Sequence, residues 1–366
     1  MKGLCVADPP IRIQGAGPVG IMAALFLVKY GWSPSAIQII DSALDAAQPA
    51  AIDDPRILAL SQGTLSRLAQ LGLDCHPVRI QEIHVSSQGQ FGSMQIKSEN
   101  AGVASLGGLV PYSQLLEILR SRLHAEGIST AAAAPAAAGS ATPEVHIIAE
   151  GGLYQSADQS LIDSGMQVVR DYQQHAVIGW VQTQLPTGAT AYERFTADGA
   201  VALLPMHQRY ALIWCAAADK AQMFFSTDSA RQCEMIENVM GGRLGRIRSV
   251  SLTGSYPLGL KWRETLAEGN TVWIGNSAQA LHPIAGQGLN LGFRDAETLS
   301  ACLLQRGRPI AERLLDYAQR RKTDRWAVRT ATDTLARAAW VRRSIGAMAF
   351  IPGAKRLLGQ VLMFGG

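Results

Sequence analysis

Two glycine-rich segments, far apart in the chain, constrain its fold more than any other feature. The first follows a short apolar strand pattern at residues 11–14 and has the spacing Gly15-x-Gly17-x-x-Gly20. A good helix sequence follows at residues 21–30. A strand, a tight turn and a helix in this order predict a βαβ unit whose helix N-terminus can bind the phosphates of a dinucleotide.

The residues around this turn support the same interpretation. The first glycine permits the turn, the second lets a phosphate approach the backbone, and the third lets the helix pack closely on the strand. A second strand pattern, residues 37–40, ends at Asp41, which lies 21 residues after Gly20 and suits a ribose-binding carboxylate. The alternative is that the glycines only make a turn, and the motif alone does not choose between NAD and FAD.

The second segment follows another apolar strand pattern, residues 271–275, and runs to Gly292 before a helix pattern at 293–304. Backbone amides just before a helix suit an anion or the electron-rich pyrimidine edge of a flavin. Gly286 and Gly288 let the main chain approach a flat ring. Asn276 is placed to bond ribityl or phosphate oxygens.

With this segment the chain resembles the flavin-dependent monooxygenases of ubiquinone biosynthesis, a branch of the para-hydroxybenzoate hydroxylase superfamily. Within that branch it is most similar to the 2-octaprenyl-6-methoxyphenol hydroxylases. The pair Gly275-Asn276 is typical of the ubiquinone hydroxylases, whereas most of the superfamily has Gly-Asp there. Matching segments run along most of the chain: residues 15–20, 54–61, 191–196, 203–206, 255–258, 276–292 and 317–324.

The resemblance implies a mixed α/β fold: a Rossmann-like FAD-binding domain, an interrupting antiparallel-sheet substrate domain and a helical C-terminus. The implied limits are 1–75, 100–165 and 255–310 for the FAD-binding domain, 76–99 and 166–254 for the substrate domain, and 311–366 for the helical region. The implied reaction uses FAD, reduced by NAD(P)H or by a partner reductase. Reaction with O2 gives a flavin C4a-hydroperoxide, which hydroxylates a polyprenylated phenol.

The resemblance also assigns the candidate site residues. The cofactor-binding candidates are Gly15, Gly17, Pro18, Gly20, Asp41, Arg56, Asn276, Gly286, Gln287, Gly288, Leu289 and Asn290. For Arg56 the alternative is a surface ion pair. Pro283 is expected beside the flavin ring, and His282 is a candidate acid or base whose alternative is a structural hydrogen-bonding role. The histidines and cysteines show no metal-ligand spacing, so no metal is expected.

Three departures from the family pattern concern the pyrophosphate and adenosine side of the site. Glu150-Gly151 stands where relatives carry Asp-Gly, and no arginine follows Ser156 closely. Tyr112 or Gln114 replaces a polar residue that contacts flavin in relatives. Residues 128–143 are rich in alanine and predict a flexible surface link. We therefore expect a lower FAD affinity than is usual in the family.

Composition and charge bear on nucleic-acid binding, on the redox state of the cysteines and on membrane contact. A net charge of +4 gives no support to nucleic-acid binding, and five scattered cysteines fit reduced thiols in the cytoplasm. No leader peptide and no apolar stretch long enough to span a membrane is evident. Residues 334–366 carry basic and apolar side chains without acidic ones. That tail either lies on the inner face of an anionic membrane or packs on the protein with its basic face in water.

Three functional hypotheses stay open from sequence. The leading one is the FAD monooxygenase, at this or another ring position of the same pathway and in contact with a biosynthetic protein complex. A dehydrogenase or reductase would transfer hydride without oxygen chemistry. A degenerate, non-catalytic flavoprotein scaffold would purify colourless; the intact segment 276–292 argues against it.

Overall fold

The computed structural model describes residues 8–45, 54–132, 145–151 and 165–337 of the 366-residue chain. Three sequence features lie wholly or largely outside these ranges: most of the alanine-rich segment 128–143, the stretch around Ser156, and the basic tail beyond Arg337.

Seventeen strands and seven α-helices occur in the part of the chain that the structure describes. The strands are β1 Ile11–Gln14, β2 Ile37–Ile40, β3 Ile57–Ser61, β4 Val78–Ile80, β5 Glu82–Ser87, β6 Ser93–Lys97, β7 Gly107–Pro111, β8 Ser129–Ala131, β9 Val145–Ile148, β10 Gln167–Thr183, β11 Thr190–Phe195, β12 Ala200–Met206, β13 Arg209–Ala217, β14 Ile247–Trp262, β15 Ala267–Glu268, β16 Thr271–Trp273 and β17 Gln279–Ala280. The helices are α1 Pro18–Lys29, α2 Gln62–Gln70, α3 Tyr112–Ala125, α4 Ala218–Ser226, α5 Ser229–Met240, α6 Gln287–Leu303 and α7 Ile310–Arg337.

A six-stranded sheet of order β15-β16-β9-β1-β2-β8 forms the first layer, with only the β15/β16 pair antiparallel. Its central strands alternate buried apolar residues such as Ile11, Ile13 and Val145 with partly exposed polar ones such as Arg12 and His146. Helix α1 is apolar almost all round, and Ile21 to Leu27 are all buried within its core. The predicted βαβ unit is confirmed.

An eight-stranded sheet of order β17-β14-β10-β13-β12-β11-β5-β6 forms the second layer. Its pairs are antiparallel except β11 with β5. The hairpin predicted at Asp198-Gly199 joins β11 to β12, and Thr196 N donates to Gly199 O across 2.9 Å. Helices α4 and α5 cover one face through an apolar cluster that includes Trp214 and Phe224.

The opposite face of this sheet points toward the rest of the molecule. There Phe195 and Met206 pack in one apolar cluster with Leu109 of β7 and Ile284 of the second glycine-rich segment. Strands β3, β7 and β4 form a small antiparallel sheet beside the cluster. This face of the eight-stranded sheet therefore packs directly against the second glycine-rich segment, which resembles a flavin-binding loop.

Several sequence-based boundaries were wrong. The sequence pattern of residues 105–127 predicts a helix, but that helix begins only at Tyr112, because residues 107–111 pair on both sides as β7. The pattern of residues 229–247 also predicts a helix, which ends at Met240, where Gly241 takes a φ of +68°. Residues 255–262, which we assigned to the FAD-binding domain, continue β14 in the eight-stranded sheet. The other domain limits stay predictions.

None of the helices in the described ranges combines the length and the hydrophobicity needed to cross a bilayer.

Candidate active site

The loops that follow β1, β2, β9 and β16 meet at one edge of the six-stranded sheet. Gly15 N donates to Ile40 O across 2.8 Å, and Ala149 N donates to Gln14 O at the same distance. Ile274 N donates to Ile148 O across 3.0 Å. Ligands of open α/β sheets bind at such a carboxyl edge.

Two glycines of the first motif are fixed by close backbone contacts. Gly15 has a φ of +111°, and a Cβ there would lie 2.8 Å from Ala149 O. A Cβ at Gly20 would lie 2.1 Å from Gly15 O. Pro18 begins α1, where its missing N–H removes no helical hydrogen bond. These contacts hold the helix N-terminus close to the sheet edge.

Gly17 differs from both of these glycines. Its backbone is extended, at φ −77° and ψ 175°, and no atom of the described residues lies within 4 Å of a Cβ built there. It is also the N-cap of α1, which has no side-chain cap and no acidic residue in its first turn. The unshared N–H groups and the partial positive charge therefore face an open space that fits a pyrophosphate.

Asp41 and Arg56 lie near this helix terminus, around Tyr112. Asp41 Oδ2 accepts a hydrogen bond from Ala16 N at 2.7 Å, so the carboxylate is tied to the glycine turn. The Arg56 guanidinium lies 4.4 Å from the ring centroid of Tyr112 and forms a two-pronged ion pair with Asp54. Burial raises the pKa of Tyr112, and the charges of Arg56 and Asp41 both act on it. Arg56 is thus in an ion pair and stacks on Tyr112, and its role toward the cofactor stays a prediction.

The residues that depart from the family pattern have protein partners in the structure. Glu150 Oε1 accepts from Gln14 Nε2 at 2.6 Å, beside the end of β1. Gln114 Nε2 donates to Cys75 O at 3.0 Å. Of the two polar substitutes considered for flavin contact, Tyr112 is therefore the better placed.

The second glycine-rich segment packs against the first helix. A Cβ at Gly275 would lie 3.0 Å from a Val19 methyl carbon, and one at Gly292 would lie 2.7 Å from the other. Asn276 Nδ2 donates to Gly151 O at 3.4 Å. Because Gly275 and Gly292 have no side chains, α1, the turn after β16 and α6 can pack closely together.

Helix α6 begins six residues earlier than the sequence predicted, at Gln287 instead of Phe293. Gly286 is its N-cap in the left-handed conformation, φ +59° and ψ 31°, without a side-chain cap. No acidic residue lies in the first turn, and none of the residues placed in the structure comes within 4 Å of a Cβ at Gly288. Gln287, Gly288 and Leu289 therefore present a second uncapped helix N-terminus, suited to the pyrimidine edge of a flavin.

Asn290, a predicted cofactor-binding residue, has protein partners for both ends of its side-chain amide. Its Oδ1 accepts from Ser61 N at 2.9 Å and from Thr64 Oγ1 at 2.7 Å. Its Nδ2 donates to Ala59 O at 3.0 Å and to Gly286 O at 2.8 Å. The amide is fully used in clamping the loop before α6 to β3 and α2, so we assign it to holding Gly286 in place.

Replacing Asn290 with alanine should destabilise the protein without FAD by about 2–4 kcal/mol. The clamp includes the buried Thr64 hydroxyl and the Ser61 N–H, and each buried polar group left unsatisfied costs about 1–3 kcal/mol. Urea unfolding of the apoprotein measures the effect. The control is Asn100→Ala at an exposed position, which should change stability by less than about 0.5 kcal/mol. Equal effects of the two variants would contradict the clamp.

His282 is buried and both of its ring nitrogens have partners. Nδ1 accepts from Ile284 N at 3.2 Å, so the proton is on Nε2, which lies 3.0 Å from Gln174 Oε1. The ring also packs edge-on against Tyr172 at 5.0 Å. This arrangement favours the structural role over the acid–base role. The next residue, Pro283, begins the turn that leads to Gly286.

A buried charge network that we did not predict from the sequence supports the second segment. Asp295 is fully buried, and its Oδ2 accepts from Gly275 N at 3.1 Å and from Gln279 Nε2 at 2.7 Å. Its Oδ1 accepts from Arg321 Nε at 2.7 Å. Arg321 Nη1 in turn lies 2.5 Å from Asp324, which also pairs with Arg294. Asp295 therefore fixes the turn at Gly275 and is itself fixed by α7.

Arg325 extends this network. It donates to Gln279 Oε1 at 2.5 Å and to the carbonyl oxygens of Arg263 and Ala278 at 2.9 Å and 3.1 Å. In the sequence, the only indication of this network is the spacing of the charged residues in segments 293–295 and 317–324. Spacing alone could not show that these charges are buried.

Glu193 of β11 is the second feature that sequence reasoning missed. It lies between Ala191 and Phe195 on the sheet face that contacts Ile284. Its neighbours in register, Ala202 and Val85, are apolar. Burial alone raises the pKa of its carboxyl group from 4.5 to about 7.

This carboxyl group should make folding stability depend on pH. Because its pKa is 4.5 when unfolded and about 7 when folded, the folded state loses stability as the pH rises through that interval. The penalty at pH 8 is at most roughly 3 kcal/mol. The advantage of Glu193→Gln over wild type, from urea unfolding, should therefore grow between pH 4 and pH 8. A constant difference would contradict the burial of this group.

The chain is similar to known flavoproteins in both sequence and fold. A family model described as an FAD binding domain matches residues 154–332. The chain is 25% identical to 3-demethoxyubiquinol 3-hydroxylase of Escherichia coli over 370 residues, which covers 88% of each protein. It is 26% identical to ubiquinone hydroxylase UbiL of Rhodospirillum rubrum, covering 92% of this chain and 86% of the relative.

Over most of its length the chain is similar to these hydroxylases, and about half of it matches the FAD binding domain model. It is an FAD-dependent monooxygenase, and FAD is its cofactor. The uncapped N-terminus of α1 suits the pyrophosphate of FAD, and that of α6 suits the pyrimidine edge of its flavin ring.

Solved structures confirm the fold of the monooxygenase. PqsL, a probable FAD-dependent monooxygenase from Pseudomonas aeruginosa, superposes with a TM-score of 0.70 at 16% identity and covers 94% of this chain and 99% of its own. The p-nitrophenol 4-monooxygenase PnpA from Pseudomonas putida has a TM-score of 0.70, 16% identity and 98% coverage of both chains. At this identity the likeness supports the mixed α/β architecture alone.

Proposed function

We propose that this monooxygenase hydroxylates the aromatic ring of a polyprenylated phenol in ubiquinone biosynthesis, with O2 as the oxygen donor. The observation that carries the proposal is the second uncapped helix terminus, at Gln287–Leu289, beside the apolar face of the eight-stranded sheet. A flavin held there would lie against a surface suited to an apolar aromatic substrate. The relatives named as ubiquinone hydroxylases support the substrate class.

The geometry of the two helix termini supports a role for each predicted site residue. The N-terminus of α1, with Gly15, Gly17 and Gly20, would hold the pyrophosphate, and Asp41 the ribose. The N-terminus of α6 would hold the pyrimidine edge. Reduced FAD supplies the chemistry, the activation of O2 for transfer of one oxygen atom. The chain orients the substrate and excludes water at the interface between sheet and loop.

The ring position belongs to the same proposal. The sequence favours the carbon hydroxylated in 2-octaprenyl-6-methoxyphenol, whereas the Escherichia coli relative is named as a 3-demethoxyubiquinol 3-hydroxylase. Short-chain analogues of both phenols, offered separately, distinguish the two positions. The favoured substrate should give the larger kcat/KM, and mass spectrometry with NMR of the product identifies the carbon.

The experiment that tests the proposal begins with the absorption spectrum of the purified protein and the cofactor released on denaturation. A flavin spectrum with release of FAD, followed by O2-dependent formation of a dihydroxy product from 2-methoxy-6-(3-methylbut-2-enyl)phenol, is the expected result. NADPH and NADH are tested as donors, with chemical reduction replacing a partner reductase. Hydride transfer without a hydroxylated product would favour the dehydrogenase hypothesis, and a colourless protein that takes up no FAD would favour the scaffold.

The tail 334–366 stays a prediction as a membrane contact, since the structure describes it only to Arg337. Sedimentation of the full chain with vesicles containing anionic lipid tests it. Binding that disappears at high salt is expected, because basic side chains near the surface act electrostatically. Equal recovery in the supernatant with and without anionic lipid would support packing on the protein.

A further inference from the structure

One carboxyl group lies on the sheet face that contacts the flavin-side loop. Ala191 and Phe195 of β11 pack in the same apolar cluster as Ile284, the residue after Pro283. Because side chains alternate along a strand, Glu193 points to the same side as Ala191 and Phe195. Its side chain is half-buried, and its carboxyl oxygens are not among the fully buried polar atoms without a partner, so a ligand can reach them.

Glu193 makes no ion pair or hydrogen bond with the residues that the structure describes. Its two cross-strand neighbours, Ala202 and Val85, cannot neutralise a charge. An apolar surrounding without a hydrogen-bonding or charged partner is unfavourable for a carboxylate, so this half-buried group is suited to a ligand that completes it.

The other titratable groups near this face do not pair with Glu193. Cys215 of β13 is fully enclosed, and both burial and the charge of Glu193 raise the pKa of its thiol, which keeps it neutral. His282 of the loop bonds Gln174, and Asp333 of α7 accepts from Tyr172 Oη at 3.0 Å. Asp333 also pairs with Arg170 and Arg337.

We propose, on the basis of the proposed function, that Glu193 is a catalytic residue that accepts the phenolic proton of the substrate. The O–H bond breaks, its electron pair stays on the phenolic oxygen, and the proton joins a carboxylate oxygen of Glu193. The electron-rich phenolate then attacks, through a ring carbon, the oxygen atom that reduced FAD and O2 would supply. That carbon loses its hydrogen as a proton, which the second oxygen atom of O2 takes up as it leaves as water. Glu193 returns its own proton to the phenolic oxygen, which restores the aromatic ring and the carboxylate.

The environment of Glu193 suits this role. A phenol has a pKa of about 10, so a neutral-pH enzyme needs a base to increase the electron density of the ring. A general base is most effective when its pKa is close to the working pH. Burial places the pKa of Glu193 at about 7.

The test is a single turnover of the FAD-loaded full chain, reduced anaerobically with one equivalent of dithionite. It is then mixed with O2 and 2-methoxy-6-(3-methylbut-2-enyl)phenol between pH 5.5 and 10. Wild type should form product at a rate that rises through pH 7. Glu193→Gln should be about 100-fold slower at pH 7, with rates that recover only as the phenol ionises by itself near pH 10. Glu82→Gln is the matched control, because Glu82 is on the adjacent strand β5 and on the opposite face.

The outcomes separate this inference from the function it rests on. If wild type forms no hydroxylated product, the proposed function fails. If wild type and Glu82→Gln are active and Glu193→Gln matches them, or is slower by one constant factor at every pH, the role of Glu193 as a base is overturned. If Glu193→Gln loses FAD, Glu193→Asp decides the matter: a displaced midpoint of the pH profile supports the inference, and an unchanged midpoint overturns it.

Discussion

Gly17→Ala should fold as well as wild type and bind FAD at least about tenfold more weakly, a loss of about 1.4 kcal/mol or more. The backbone at Gly17 is extended, a conformation that alanine adopts freely, and within the ranges that the structure describes the added methyl group meets no atom within 4 Å. The only cost therefore falls on a ligand that needs the space in front of α1. Fluorescence titration of the apoprotein with FAD, together with urea unfolding without FAD, measures the two effects separately.

Gly20→Ala is the matched comparison, because the same methyl group is added three residues later. Its Cβ would lie 2.1 Å from Gly15 O, so the helix must move away from the sheet. We expect a loss of about 3 kcal/mol or more in the stability of the apoprotein. If both variants lost FAD affinity and stability to the same extent, the assignment of Gly17 to the pyrophosphate would be wrong.

Asp295→Ala should reduce the free energy of unfolding by about 3–5 kcal/mol, the largest stability effect that we predict. Removing this carboxylate leaves the buried Arg321 with one acidic partner fewer and frees Gly275 N and Gln279 Nε2. The turn after β16 would lose its anchor, so FAD affinity should fall as well. Urea unfolding of the apoprotein gives the first quantity and FAD titration the second.

Two further variants test whether that loss of stability comes from the buried charge of Asp295. Glu312→Ala removes an exposed carboxylate of the same helix α7 that pairs with Arg308 at 3.4 Å, and should cost less than about 1 kcal/mol. Asp295→Asn keeps the shape and an acceptor oxygen but removes the charge, and should fall between wild type and alanine. A loss below about 1 kcal/mol in Asp295→Ala would refute the anchoring role.

The parts of the site that local patterns encode could be predicted from sequence. The turn at Gly15–Gly20, strand β2 and Asp41 lie close together in the chain, and each has a distinct local requirement. The start of α6 was placed six residues too late, because its first turn contains Gly288, a residue that normally disfavours a helix. Tertiary contacts with β3, through Asn290, override that preference.

The remaining features depend on contacts between distant segments. The charges of Arg321 and Asp295 look like exposed helix charges until α7 is known to pack on α6. Glu193 alternates with Ala191 and Phe195 in a strand that could present either face to solvent. Its burial follows from the docking of the eight-stranded sheet on the loop of Ile284, which no local pattern specifies.

The most direct test of the central claim is the origin of the oxygen atom in the product of a single turnover. The FAD-loaded protein, reduced with dithionite, is mixed with 18O2 and 2-methoxy-6-(3-methylbut-2-enyl)phenol in ordinary water, and the product is analysed by mass spectrometry. An FAD-dependent monooxygenase should give a dihydroxy product that carries one 18O atom in its new hydroxyl group. No hydroxylated product, or a hydroxyl group containing only solvent oxygen, would contradict the account.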